Sequence, residues 1–321
     1  MISANSCNPA RKLMSGKERM LRHHAQELAM NLARLIDQST LYRLESPKNA
    51  RTLPGLSVLR KESVTSIEAV VYEPVICLIL QGRKETSVGD QFAGLGPGDT
   101  LLVSHDLTVQ SRITRASPQD PYLAVILKLD LGIVRGLYAQ LADVTVPETD
   151  GRSLAVGRAE PALLNALERY FDLLDSPLDA QVLGPAILRE IHYRLLLSPA
   201  GKMLWALLVA NSHASRVAKA IRQLRSDFRA TLTLPELAKT AGMSATSFHQ
   251  HFKAITGTTP LQYQKDLRLI AARALLTEQR QTVTEAAFAT GYESPTHFSR
   301  DYRRKFGNAP GRDARDIVAS P

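Results

Sequence analysis

Apolar residues recur along this chain in three rhythms. The first is helical. Leu21, Ala25, Leu28, Leu32 and Leu35 are three or four residues apart behind Ser15 and Glu18, which have capping-box spacing. One amphipathic helix is predicted, running to about Gln38 after a small, polar tail of residues 1–16. The second rhythm covers residues 53–129, where short aliphatic and β-branched runs alternate with turn residues. Strands are predicted at 56–60, 65–72, 75–81, 84–88, 91–95, 100–103, 108–113 and 122–129. Gly89-Asp90 and Pro97-Gly98-Asp99 mark turns between them. So many short strands at close spacing predict an antiparallel β-barrel of the jelly-roll kind. The runs 75–81 and 122–129 are apolar on both faces, so alternation does not assign their inward side.

Helical spacing then returns at 132–141, 160–174 and 181–197, limited or kinked by Pro177, Pro185 and Pro199. Breaks at 198–201 and 211–212 precede a further helix through Val217, Ile221, Leu224 and Phe228.

The third rhythm is a repeat. Ala238-x-x-x-Gly242, Phe248-x-x-x-Phe252 and Gly257-x-x-Pro260 recur as Ala287-x-x-x-Gly291, Phe298-x-x-x-Tyr302 and Gly307-x-x-Pro310, with one extra residue after Gly291. Each copy predicts a helix-turn-helix. Thr233/Glu236 and Thr282/Glu285 form capping boxes, and Gly242 and Gly291 make the turns. Ser244 and Ser294 cap the second helices, the latter followed by Pro295. Phe248, Phe252 and Ile255 face inward in the first copy, leaving Thr246, His249, Gln250 and Lys253 on the other face. Phe298, Tyr302 and Phe306 face inward in the second, leaving Thr296, Ser299, Arg300 and Arg303 outside. A spacer helix over 261–276 offers Leu267, Ile270, Ala271, Ala274 and Leu275 for packing.

Charge sharpens the reading. The chain carries a formal net charge of +9 over 321 residues. Residues 213–321 hold 17 basic and 9 acidic side chains, so nearly all the excess sits beside the repeat. That is the electrostatic footprint of nucleic-acid binding. Polar outward faces on two turn-linked helices suit base edges and phosphates.

The second-copy string, from Ala287 through Gly291-Tyr292, Ser294, Phe298-Ser299-Arg300, Tyr302-Arg303-Arg304 and Phe306-Gly307 to Pro310, resembles the signature of the AraC/XylS transcription regulators. Residues 213–312 resemble that family's tandem helix-turn-helix domain. The resemblance implies that Thr246, His249 and Gln250 enter one major groove of promoter DNA, and Thr296, His297, Ser299 and Arg300 the next. Lys253, Arg303 and Arg304 complete the expected DNA contacts. Asp301 departs from this picture as an acid where the helix nears the DNA backbone, with Arg304 or Lys305 as its expected partner. Residues 53–142 resemble a sensor domain of the same family, a cupin-like barrel, through the segments 74–84, 97–99 and 117–124.

The expected fold is therefore α+β and multidomain. An N-terminal cupin-like antiparallel β-barrel with flanking helices precedes a C-terminal all-α tandem helix-turn-helix domain. The expected boundaries are a tail and helix at 1–45, the barrel at 46–155, a helical dimerisation and linker region at 156–212, and the DNA-binding domain at 213–321. The implied partners are double-stranded promoter or operator DNA, RNA polymerase, a second copy of the chain, and a small-molecule effector in the barrel.

An enzyme finds little support. A metal-dependent barrel needs convergent histidines with a carboxylate, and the barrel run holds only His105, followed by Asp106. His249 and His251 lie about 160° apart on a helix. No Walker loop, dinucleotide fingerprint or nucleophile elbow occurs. No cofactor, metal or catalytic residue is expected. The alternatives are a barrel enzyme fused to a DNA-binding module and an architectural DNA-binding protein without an effector. Cys77 reads either as a small buried hydrophobe or as an effector-sensing thiol; no basic neighbour is evident within its strand. Two cysteines, Cys7 and Cys77, make no disulfide framework, and no run reaches the roughly 20 apolar residues of a membrane span. A cytoplasmic protein without membrane partners is expected.

Overall fold

The computed structural model describes residues 16–45, 53–89, 91–141, 152–209, 211–279 and 281–318. Cys7, Ser15 and Asp90, which carried sequence expectations, lie outside the described residues.

Among the described residues nine strands follow in chain order: β1 (Leu56–Lys61), β2 (Glu68–Tyr72), β3 (Val75–Gln81), β4 (Arg83–Val88), β5 (Gln91–Leu95), β6 (Asp99–Val103), β7 (Leu107–Arg115), β8 (Tyr122–Lys128) and β9 (Leu154–Arg158). They form two facing antiparallel sheets, ordered β1-β8-β3-β6-β9 and β2-β7-β4-β5. The first eight match the strands read from the sequence to within three residues at either end. β9 does not appear in that reading. It is a short edge strand with half-exposed residues, and it pairs with β6 from Asp99↔Arg158 to Val103↔Leu154. It carries the sheet past the boundary drawn at residue 155.

The two apolar strands owe their texture to burial on both faces. Val75, Cys77 and Ile79 of β3 and Tyr122 and Ala124 of β8 pack between the sheets with Val88, Leu101, Val109 and Ile113. Ile76, Leu78 and Leu80 of β3 and Leu123, Val125 and Leu127 of β8 face the other way, into a core built with helices. That second core receives α1 (Gly16–Glu45), α2 (Leu131–Gln140), α3 (Pro161–Asp172), α4 (Pro177–Leu197) and α5 (Lys202–Leu208).

α1 outruns its predicted end because Tyr42 packs edge-on against Phe171. Gln38 also donates to Asp172 Oδ1 at 2.6 Å. α4 starts four residues early, where Ser176 caps it and Pro177 takes its first position. Pro185 lies within it, on an exposed side, rather than ending it. α5 escapes periodicity analysis because it is short and nearly all apolar; Trp205 Nε1 donates to Leu196 O at 2.9 Å.

The last third is helical: α6 (His213–Ser226), α7 (Leu234–Ala241), α8 (Ala245–Thr256), α9 (Pro260–Thr277), α10 (Val283–Ala289), α11 (Pro295–Phe306) and α12 (Pro310–Val318). Two small cores divide it. One joins α6, α7 and α8 to Tyr263 and Leu267 of α9. The other joins α10 and α11 to Leu269, Ala272 and Leu276 of α9. α9 thus serves both cores. Its fully buried stripe is shifted from the expected one: Leu267 is buried, whereas Ile270, Ala271, Ala274 and Leu275 are only partly covered.

Candidate nucleic-acid interface and barrel interior

Each helix-turn-helix is assembled by the local chemistry that its sequence predicted. Thr233 Oγ1 accepts from Glu236 N, and the Glu236 carboxylate accepts from Thr233 N at 2.8 Å. Thr282 and Glu285 repeat the arrangement at 3.2 and 2.9 Å. Ser244 and Ser294 cap α8 and α11. Both turns pass through glycines with positive φ, Gly242 at +63° and Gly291 at +86°. A Cβ at Gly291 would sit 2.3 Å from Arg229 O.

Phe248, Phe252 and Ile255 are buried, as are Phe298 and Tyr302, while Phe306 is half-buried. On the opposite face of α8, Thr246, Gln250 and Lys253 are exposed and His249 is half-buried. On α11, Thr296, His297, Arg300, Arg303 and Arg304 are exposed and Ser299 is half-buried. Arg300 and Arg303 make no ion pair among the described residues, which leaves both guanidinium groups available to a polyanion. His251 stacks on His213 with ring centroids 3.6 Å apart, away from His249.

Asp301 keeps Arg304, one of its two expected partners, but corrects its expected placement. It is buried, facing α9 rather than any DNA backbone. Lys265 lies 3.1 Å from one oxygen and Arg304 3.1 Å from the other. Lys305 instead pairs with Asp266 of α9 at 2.8 Å. These pairs tie α11 to α9.

The segment 104–106 joins the barrel to this domain by side-chain and backbone bonds. His105 is buried; Nε2 donates to Ala214 O at 3.1 Å, and Nδ1 lies 2.9 Å from both Ser104 and Ser153 hydroxyls. Burial pushes its pKa down to about 4, so the ring is neutral and both nitrogens are committed to these bonds. Asp106 pairs with Arg225 of α6 at 2.8 Å, and its carbonyl accepts from Tyr263 of α9 at 2.8 Å. Arg225 also reaches Glu73 at 3.0 Å. Lys128, 2.9 Å from the other Glu73 oxygen, and Arg225 hold the Glu73 carboxyl below its ordinary range. Between this segment and α6 lies a cavity of about 360 Å³, with Arg135, Lys219 and Arg222 on its wall.

Inside the barrel the unexpected residue is Lys84. Alternation along β4 turns Lys84, Thr86 and Val88 inward and Arg83, Glu85 and Ser87 outward. Lys84 Nζ donates to Tyr72 Oη. Cys77, on the facing sheet, therefore has a basic neighbour that its own strand could not reveal. Burial pushes the Cys77 thiol up, with Lys84 opposing. Burial likewise disfavours the Lys84 ammonium, but Cys77 and Tyr72 outweigh it and the lysine titrates above its ordinary value. No group of three or more His, Cys, Asp or Glu side chains suited to a metal occurs among the described residues. No described helix is long and apolar enough to cross a membrane.

Comparison with known proteins agrees along both parts. Residues 52–203 match the family described as AraC-type transcriptional regulator N-terminus, and residues 237–316 match a helix-turn-helix domain family. The chain is 30% identical over 244 residues to the HTH-type transcriptional activator RhaS of Escherichia fergusonii, covering 74% of this chain and 82% of that protein. It is 23% identical over 244 residues to the HTH-type transcriptional regulator ExsA of Pseudomonas aeruginosa, covering 75% and 85%. Among solved structures, ToxT from Vibrio cholerae superposes with a TM-score of 0.53 at 11% identity, covering 83% of this chain and 98% of ToxT.

Proposed function

Because this chain belongs to the AraC-type family of DNA-binding transcription regulators, we propose that it reads two successive major-groove segments of promoter DNA with α8 and α11, under control of an effector held by the barrel. The observation that carries this reading is the pair of exposed polar faces on helices fixed by separate cores. Thr246, His249, Gln250 and Lys253 would contact one segment. Thr296, His297, Ser299, Arg300, Arg303 and Arg304 would contact the next. α9, with 18 residues, rises roughly 27 Å between the two units. With helix widths added, this approaches the ~34 Å between successive major-groove faces.

Footprinting of the full chain on its promoter tests the reading. Protection is expected over two neighbouring groove segments. Gln250→Ala should weaken discrimination in one and Arg300→Ala in the other. Unchanged base preference in both variants overturns the assignment.

The effector reading rests on the segment 104–106. It binds α6 and Tyr263 of α9 at once, both part of the first helical core, so a change at the barrel rim reaches the base of the first reading unit. Binding in the barrel would thereby alter DNA occupancy and the access of RNA polymerase in the cytoplasm. The protein is proposed to act as a homodimer. Of the two helices expected to serve dimerisation, α3 spends its apolar face at home, burying Leu163, Leu164, Leu167, Tyr170 and Phe171. The first half of α4 instead leaves Leu178, Val182 and Leu183 exposed.

A further inference from the structure

Lys84 is a cation enclosed by a barrel that offers it no anion. It is 4% exposed, and no carboxylate lies within ion-pair distance among the described residues. Its bonded neighbour is the Tyr72 phenol, whose ring centroid lies 5.0 Å from Nζ. Glu68 acts on it only from farther away.

The groups around it are short of partners as well. Thr86 Oγ1, on the same face of β4, and Tyr122 Oη, beside the Cys77 thiol, make no hydrogen bond to any oxygen or nitrogen among the described residues. Both residues are essentially unexposed, at 2% and 0%. Buried hydroxyls of native proteins are nearly always paired, so Thr86 Oγ1, which has no partner, and Tyr122 Oη, which has only the weak Cys77 thiol, mark with the unneutralised ammonium a place built for something else.

Beside this cluster a groove of about 490 Å³ opens between β1 and β2. Leu56, Val71, Val75 and Ile126 make its walls apolar, and Tyr72 and Cys77 lie on the side toward Lys84. At the rim Glu73 and Lys128 neutralise each other at 2.9 Å.

We propose that this barrel binds a small organic acid, with its carboxylate on Lys84, Thr86 and Tyr122 and its apolar body in the groove. The polar groups present are an ammonium and hydroxyls, all of which can donate, which fits a ligand that only accepts. A single cation balances one carboxylate rather than a phosphate dianion. The acid reaches Nζ by taking the place of the Tyr72 hydroxyl. The inference deepens the effector reading and rests on it only for the regulatory consequence, not for binding.

The test uses the full chain with benzoate and octanoate as probes, each against its uncharged amide. Melting temperature and calorimetric titration are the readouts, and DNA affinity is measured in parallel. At least one acid should raise the melting temperature while its amide does not, because a ligand preferring the folded state must stabilise it. Lys84→Met should keep the fold and the DNA affinity and lose about tenfold or more in acid affinity. Thr86→Val, nearly isosteric, provides a second variant with a smaller loss. Amides binding as well as acids, or Lys84→Met binding acids as tightly as the unaltered chain, overturns the proposal. So does failure of both acids to stabilise the protein at millimolar concentration. If a neutral metabolite alone shifts both stability and DNA affinity, the acid site falls and the effector reading stands. If acids bind through Lys84 without changing DNA affinity, the site stands and its control of DNA binding falls.

Discussion

His105 illustrates how one side chain can make the two halves of the molecule sensitive to pH. Its folded pKa of about 4 lies below the ordinary 6.5, so between those values the unfolded chain binds more protons. The stabilisation is complete above pH 6.5 and is lost as the pH falls toward 4. The full shift is worth at most about 3 kcal/mol. His192, also depressed by burial, acts in the same sense. The melting temperature should therefore drop between pH 7 and pH 5, and His105→Asn should flatten part of that drop. An identical pH profile in the variant would remove His105 as its source. On α11, Arg300→Ala should cost about 1–3 kcal/mol on a specific site if it reads a guanine. Competition between specific and random duplexes measures this directly. Arg304 is already engaged by Asp301, so its removal should weaken both duplexes alike.

At the scale of elements, the tip of the β4–β5 hairpin meets the turn that ends α8, and both contact residues are glycines. Gly89 has φ +55° and Gly257 φ +72°. A Cβ on Gly89 would lie 2.0 Å from Gly257 O, a contact that real side chains cannot make. Gly89→Ala is expected to force the hairpin off the first reading unit and to cost about 1–3 kcal/mol in stability. Faster proteolysis or amide exchange around residue 257 would register the loosening. Gly94→Ala in β5 is the control, since a Cβ there meets nothing within 4 Å. Equal behaviour of the two variants would show that the hairpin contact does not matter.

For the whole molecule, the exposed apolar start of α4 predicts the oligomeric state. Leu178 and Val182 are 69% and 65% exposed, four residues apart on one side of the helix. Replacing both with glutamate should leave the fold intact and shift sedimentation of the full chain from dimer to monomer at micromolar concentration. A monomer before substitution, or an unaffected dimer after it, removes α4 from the interface. DNA affinity should also fall steeply with salt, since nearly all of the net positive charge sits in residues 213–321 and each neutralised phosphate releases counterions.

Much of this was written in local sequence. Capping boxes, turn glycines and helical spacing depend on residues within a few positions of one another, so both helix-turn-helix units were legible with their inward and outward faces. Period-two and continuous apolar runs placed eight strands for the same reason. The rest depended on partners distant in the chain. β3 and β8 are apolar throughout, and only packing against helices on one side and a second sheet on the other divides Cys77 from Ile76. β4 is polar on both faces, so its pattern gave no reason to place Lys84 inside. Asp301 read as surface because α9, which supplies Lys265, is 36 positions away. A side chain's charge is local, but whether water or protein surrounds it is decided by what the whole fold brings beside it.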